Sequence, residues 1–334
     1  MHKELLLVCI LLVSACTTLQ GTVGSDVIKV QSTETYIGVK DLLSIGEIKT
    51  IPKSPVPPNT PIALSFILQN NDDTVPLEKV KKNLFDAPGF SGVTADNTKT
   101  LCNSNPDNCF PRDNMCTDRG GFCIILPLEQ KEIIYNLTTP STAVIKSVGS
   151  EVTLSFLASY EVESSSQFVF PVVDFEEIKK QQAGSSTVTV PASATHGRGP
   201  LVVDMEVVGS PYVLSTYPGR LAFRVRNAGG GEVVSCGTST ECPGLRGRTV
   251  KMQIEFPKGM TVTPPTGFTS VGDYMYENID RDITFVNKES AGSIIFPFDP
   301  INIAGKPFIS EPIKVTLTYF YEIRGSAPIR IQPV

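Results

Sequence analysis

Apolar and polar residues alternate along much of this chain. Leu64-Ser65-Phe66-Ile67-Leu68-Gln69 alternates with one slip at Ile67, and Val152-Thr153-Leu154-Ser155-Phe156 alternates without one. Residues 221–226, 250–256, 315–319 and 329–331 repeat the pattern. A period of two puts successive side chains on opposite faces, so each run predicts a strand with one face on a core and one toward water. Asn70-Asn71-Asp72-Asp73 and Asn227-Ala228-Gly229-Gly230-Gly231 separate runs and predict turns. Helical signals are confined to residues 174–184. There Asp174 would cap, Glu176 and Glu177 favour the N-terminal end, Glu176 and Lys180 lie one turn apart, and Gly184 would stop the helix.

Two stretches about 160 residues apart look alike, a spacing that points to a duplicated domain because solenoid periods are far shorter. Ser159-Tyr160-Glu161-Val162-Glu163-Ser164-Ser165 has its counterpart in Phe320-Tyr321-Glu322-Ile323-Arg324-Gly325-Ser326. Each follows one alternating run and precedes another, so each is expected as the bend of a terminal hairpin. Residues 58–70, ending in Asn70, likewise match residues 217–227, ending in Asn227. The stretch 184–200 is rich in Ser, Thr, Ala, Gly and Pro and is expected to link the halves, with Thr187-Val188-Thr189-Val190 as a short strand within it. The expected fold is therefore all-β: two antiparallel β-sandwich domains in tandem, residues 35–183 and 201–334, with one short helix near the linker.

Composition narrows the class. Apolar residues make up 41% and charged residues 19%, the balance of a globular chain. Net charge is −5 and no concentrated basic face stands out, which excludes a nucleic-acid surface. Residues 5–13 form an unbroken apolar run behind Lys3, closing in Leu12-Val13-Ser14-Ala15-Cys16. The run is too short to span a bilayer but suits an export signal. Its end resembles a lipobox, which implies a signal over residues 1–15, lipid on Cys16 and a lipid-anchored stalk over 16–34. That resemblance places the chain outside the cytoplasm, anchored to the cell membrane at the cell surface. An ordinary signal cut a little further on, or a short membrane anchor, is the alternative.

The remaining cysteines agree with export. Cys102, Cys109, Cys116 and Cys123 recur at every seventh position within a polar insert, and Cys236 and Cys242 flank a short polar loop. An even number in an exported chain predicts disulfides. In the insert either Cys102–Cys109 with Cys116–Cys123 or the nested pairing would serve. Zinc pairs have two to four residues between cysteines, whereas six intervene here, so no metal is expected there. Cross-linked polar loops on rigid sheets are common recognition surfaces. Phe110, Arg112, Arg119 and Phe122 are the candidate contact residues of the insert 102–123.

Catalytic signals are sparse. The chain has two histidines; His2 belongs to the signal, and His196 falls in the expected linker, a poor place to hold an imidazole for nucleophilic catalysis. Asn71-Asp72-Asp73 and Glu277-Asn278-Ile279-Asp280-Arg281-Asp282 offer oxygens of the kind calcium takes, but neither fits an EF loop and both suit turns. Asn136-Leu137-Thr138 is an N-glycosylation sequon. No cofactor is expected.

The order of a Pro-Gly or Pro-Asn start, an alternating strand and an Asn-Asp or Asn-Gly turn resembles the immunoglobulin-like modules of prokaryotic surface proteins. Residues 45–85 and 205–256 resemble most closely the CARDB type found in archaeal chains. The resemblance implies tandem Ig-like sandwiches that bind or space on a cell surface and brings no catalytic residue. The chain lacks the tryptophan of the Ig core. The expected function is a non-enzymatic, membrane-anchored surface module whose ligand is a surface protein or glycan. A fibre or layer subunit assembled by strand exchange is the second expectation, with Val27-Ile28-Lys29-Val30 or Tyr36-Ile37-Gly38-Val39 as donor strand. An envelope hydrolase with a carboxylate dyad is the third.

Overall fold

A computed structural model describes residues 28–101, 123–141, 150–182, 188–235, 245, 248–303 and 305–332. The chain is nearly all β, as the alternation predicts, with several mainly antiparallel sheets. The first half contains β1 (Ile28–Tyr36), β2 (Leu43–Ile51), β3 (Pro61–Asn70), β4 (Leu77–Asp86), β5 (Ser91–Leu101), β6 (Cys123–Ile125), β7 (Gln130–Thr138) and β8 (Ser150–Val173). Helix α1 (Phe175–Gln182) and β9 (Val188–His196) lead to the second half. That half begins with β10 (Leu201–Val207), β11 (Val213–Leu214), β12 (Gly219–Asn227), β13 (Glu232–Val234) and β14 (Val250–Glu255). It closes with β15 (Thr269–Gly272), β16 (Met275–Glu277), β17 (Phe285–Val286), β18 (Glu289–Ser290), β19 (Ile294–Phe298) and β20 (Phe308–Ile331).

One large sheet runs in the order β1-β9-β8-β20-β14-β16-β15, with β4 also on β8 and β13 also on β20. Two smaller sheets complete the molecule, β2-β3-β7-β5 and β10-β12-β18-β17 with β19 beside β12. A continuous buried core runs through both halves, from Leu64, Phe66 and Phe156 to Phe223, Phe256 and Phe296.

The expected terminal hairpins are not formed. Strands β8 and β20 are each 24 residues long, and they pair antiparallel at every position from Ser150↔Ile331 to Val173↔Phe308. Tyr160 lies directly opposite Tyr321, so the two copies of the repeated motif face each other across a local two-fold. Alternation continues through the supposed bend, where Tyr160, Val162, Ser164, Ser166, Phe168 and Phe170 are all buried. Two of the inward positions are serines, which made a strand read as a turn. Each is satisfied inside: Ser164 Oγ lies 2.6 Å from Tyr319 Oη, and Ser166 Oγ 3.0 Å from His196 Nδ1.

Each long strand begins in one half and ends in the other. The first part of β8 pairs with β4, and its later part with β9. The last residues of β20 are clasped by the first half, where Val56 N donates to Arg330 O at 2.9 Å and Gln332 N to Val56 O at 3.0 Å. Residues 35–183 and 201–334 therefore do not close as two sandwiches on their own strands. The expected linker is also mostly strand: β9 pairs parallel with β1 along its whole length and with β8 at Ser166–Val169. Residues 28–34 of the expected stalk belong to β1 in the same way.

Gly325 marks where β20 crosses the first core. A Cβ there would lie 2.4 Å from the Phe156 ring, which stacks on Phe66 with centroids 4.1 Å apart. Gly325→Ala is expected to destabilise by about 1–3 kcal/mol through overpacking. Ser326→Ala, on the outward face of the same strand, is expected to stay within about 0.5 kcal/mol. Denaturant unfolding of both variants compares them directly.

Candidate functional site

The two repeated turns are built alike. Asn70 is buried; its Oδ1 accepts from Asp72 N at 3.0 Å, and its Nδ2 donates to the carbonyls of Val75, Ile125 and Leu126. Asn227 Oδ1 accepts from Gly229 N at 3.0 Å and from Tyr321 Oη at 2.9 Å, and its Nδ2 donates to Gly231 O. Short Asn side chains bond backbone two residues on, which is why both strands end in Asn.

The candidate calcium ligands are already engaged by protein donors. Asp72 Oδ1 accepts from Thr74 N, Thr74 Oγ1 and Val75 N, and its other oxygen lies 3.6 Å from Arg198. Burial pushes the Asp72 carboxyl up, but these bonds and the guanidinium outweigh it and hold the carboxyl below its usual range. Glu277 pairs with Arg248 at 2.7 Å and Lys251 at 3.4 Å, and Asp282 accepts from Thr249 and Ile283. The sequon residue Asn136 is exposed on β7, between β3 and β5.

Cys16, Cys102, Cys109, Cys116, Cys236 and Cys242 lie outside the described residues, as do Phe110, Arg112, Arg119 and Phe122. Cys123 opens β6, where its backbone pairs with Val80. The flanks of both cysteine-bearing segments are placed. The first leaves after Leu101, opposite Gln130, and returns at Cys123. The second leaves after Val234, opposite Phe320, and returns at Val250, opposite Tyr319. It therefore interrupts one strand position beside β20, close to the Tyr160–Tyr321 centre.

The best-defined polar cluster lies where β9 ends, around the residue expected to be a surface histidine. His196 is instead 1% exposed. Its neighbours in register are Tyr36 on β1 and Ser166 on β8. Gly197 then crosses tightly over β8, donating N–H to Ser165 O at 2.7 Å, with no room for a Cβ beside Ser165 Oγ. The imidazole lies beside the Tyr36 ring at 4.9 Å and edge-on to Phe168 at 6.0 Å. Its Nδ1 meets Ser166 Oγ, while Nε2 lies 3.3 Å from Glu34 Oε1 without the alignment of a hydrogen bond.

Around this ring runs a string of charged partners. Tyr36 Oη donates to Glu34 Oε1 at 2.6 Å and accepts from Arg226 at 3.2 Å. Arg226 also donates to both oxygens of Asp204, at 3.2 and 3.4 Å. Burial pulls the imidazole's pKa down, and the nearby Glu34 and Asp204 charges oppose that shift without cancelling it. Burial and the bond to Glu34 push the Tyr36 hydroxyl up. Donor atoms of Glu34, His196 and Asp204 lie within 4.8 Å of one another, close enough that this group among the described residues could hold a metal ion.

Ser166, His196 and Glu34 superficially form a nucleophile–base–acid line. Ser166 is buried, however, and its Oγ also accepts from Val203 N at 3.4 Å. A nucleophile must reach a substrate in a cleft. The adjoining groove is lined by Asp204, Met205, Glu206, Ala222, Arg224 and Arg226, not by Ser166. Sequence reasoning missed this cluster because Glu34 on β1 is far in the chain from His196 and Asp204, which sit on the successive strands β9 and β10.

These features define an all-β protein in which β8 and β20 form a long central ladder and a buried histidine lies beside strand β1. No protein-family model matches the chain, and no curated protein matches it. Among solved structures, activated alpha-2-macroglobulin of Escherichia coli aligns at 8% identity with a TM-score of 0.11, over 88% of this chain. The chain spans 33% of that protein, and a score so low does not establish a shared fold. No described helix is long and apolar enough to cross a membrane.

Proposed function

We propose that the chain is a non-enzymatic module of the cell surface or envelope, tethered through lipid on Cys16, that spaces and presents its two cysteine-bearing segments. The observation that carries this reading is the unbroken β8–β20 ladder, which pairs strands of both halves along its whole length. At about 3.3 Å per residue such a ladder reaches roughly 75–80 Å before coiling. Both cysteine-bearing segments spring from paired strands, a rigid base for recognition loops. Tandem Ig-like ancestry, of the CARDB type, remains part of this proposal through the repeated Asn turns. Burial of Ser166 weighs against this serine acting as a nucleophile. Ligands of protein or glycan type would meet Phe110, Arg112, Arg119 and Phe122, in a segment closed by Cys102, Cys109, Cys116 and Cys123, with Cys236 and Cys242 closing the other.

Detergent phase separation after expression with the native leader tests the anchor. Wild type is expected in the detergent phase and Cys16→Ser in the aqueous phase. Non-reducing intact mass should report a start at Cys16 plus lipid and no free thiol. Wild-type protein in the aqueous phase with Met1 retained and its thiols reduced would remove the proposal.

A second reading rests on β1. It is a parallel edge strand, mostly exposed, and its ladder partner in the described structure is β9 alone. The β1 of a neighbouring copy would fit the same position, giving a fibre by strand exchange. Sedimentation of the protein with and without residues 17–36 separates this assembly from a monomer.

A further inference from the structure

We propose that Glu34, His196 and Asp204 form a binding site for a divalent first-row transition cation, which fastens the N-terminal strand β1 to the body of the protein. Two independent observations meet here. Donor atoms of the three residues lie within 4.8 Å of one another. His196 is 1% exposed, yet its Nε2 is buried without a hydrogen-bond partner and faces the Glu34 carboxylate. A buried polar nitrogen left unmatched is costly, so its persistence calls for a partner.

The other ring nitrogen is already accounted for. Nδ1 lies 3.0 Å from Ser166 Oγ, an acceptor that Val203 N also approaches. With the Nδ1 hydrogen donated to Ser166, the unprotonated Nε2 is left beside the Glu34 carboxylate at 3.3 Å, with Asp204 in the same cluster. A cation converts that repulsive arrangement into three bonds. The opposite tautomer would direct Nε2–H at Glu34 along a line too bent for a hydrogen bond. An outer-sphere oxygen on the far nitrogen is also the usual support of a metal-bound histidine.

The donor set selects the cation class. One imidazole nitrogen with two carboxylates suits Zn²⁺, Co²⁺ or Mn²⁺, whereas Ca²⁺ prefers an all-oxygen shell. Bonds of about 2.0–2.2 Å in tetrahedral geometry put donors roughly 3.4 Å apart. Glu34 is exposed and Asp204 half-buried, and both can close that distance by side-chain rotation, while the buried imidazole stays fixed. Arg226 is the built-in competitor, since it holds both oxygens of Asp204. Bound cation would displace it toward Tyr36. The ligands come from β1, β9 and β10, so binding would tie the N-terminal strand to the crossover strand and to the second half.

The test uses full-length, non-reduced protein stripped with chelator and titrated with Zn²⁺ by calorimetry and thermal melting. One equivalent is expected, with a higher melting temperature, and Ca²⁺ is expected to give no shift. Co²⁺ should give a visible d–d band without thiolate charge transfer. Glu34→Gln and Asp204→Asn, neither at a fully buried position, should each weaken Zn²⁺ by at least about tenfold, the loss that even outer-sphere changes produce. Arg226→Gln should instead tighten binding, because a competing positive charge is gone. No heat with Zn²⁺, unchanged affinity in both carboxylate variants, an equal response to Ca²⁺, or a thiolate band assigning the metal to the cysteines would each overturn the site.

Discussion

A chain shortened to residues 28–182 is expected to lose cooperative folding. In whole protein the first core is completed by the last part of β20, where Tyr321, Ala327, Ile329 and Ile331 are buried. Removing one buried Ile side chain costs about 2–5 kcal/mol, and a whole domain is stable by only about 5–15 kcal/mol. Loss of several such residues together with their ladder exceeds that margin. The later part of β8 would also lose Phe308–Tyr319 as its partner and expose Phe168, Phe170 and Val172. The shortened chain should bind a hydrophobic dye and unfold without a sharp transition, and a peptide of residues 308–332 added in trans should restore one. A sharp, reversible transition of residues 28–182 alone, near that of the whole chain, would instead mean that the first half closes on its own strands.

Arg248→Met is expected to cost about 3–5 kcal/mol, the penalty for leaving one member of a buried ion pair alone. Arg248 is 5% exposed and holds Glu277 Oε1 at 2.7 Å, Asn278 O at 2.6 Å and Leu245 O at 3.0 Å. Without it Glu277 keeps Gln253 at 2.8 Å and Lys251 at 3.4 Å. The double change Arg248→Met with Glu277→Met is expected to recover most of the loss, because no charge is then stranded. A single-variant loss under about 1 kcal/mol in urea unfolding would show that the pair is not buried in solution.

The same pair sets a pH dependence. Burial pushes the Glu277 carboxyl up, but the bonds from Arg248 and Gln253 and the Lys251 charge outweigh it, so the carboxyl lies below its ordinary value of 4.5. A carboxyl lowered in the folded state contributes stability that is present above the unfolded value. That stability is lost as pH falls through the folded value. Wild type is therefore expected to weaken as pH drops below about 4.5, and Arg248→Met to show a shallower slope there. Urea unfolding at neutral pH and at about pH 3.5 measures both.

Legibility in the sequence followed burial chemistry. Strands β3, β12 and β14 place apolar side chains inward at every second position, so Leu64, Phe223 and Met252 were readable as core. The Asn turns were readable because their bonds are local. The middle of β8 was not, because Ser164 and Ser166 occupy inward positions and are satisfied by groups on other strands, Tyr319 for the first and His196 and Val203 for the second. Gly325 hid the phase of β20 for a related reason: its missing side chain makes room for Phe156. Strand β9 read as a linker because Thr, Ser and Ala suffice at positions covered by β1.

What the sequence determined by itself is the all-β class, the positions of strands such as β3, β12 and β14, and the chemistry of the Asn turns. All of these rest on neighbours within a few residues, where backbone period and short side chains act directly. Only the tertiary structure decided that β8 and β20 run through both halves, and that Glu34, His196 and Asp204 meet. The β8–β20 pairing and the arrival of Glu34 beside His196 depend on contacts between residues more than a hundred positions apart, and alternation along one strand is the same whichever strand lies beside it.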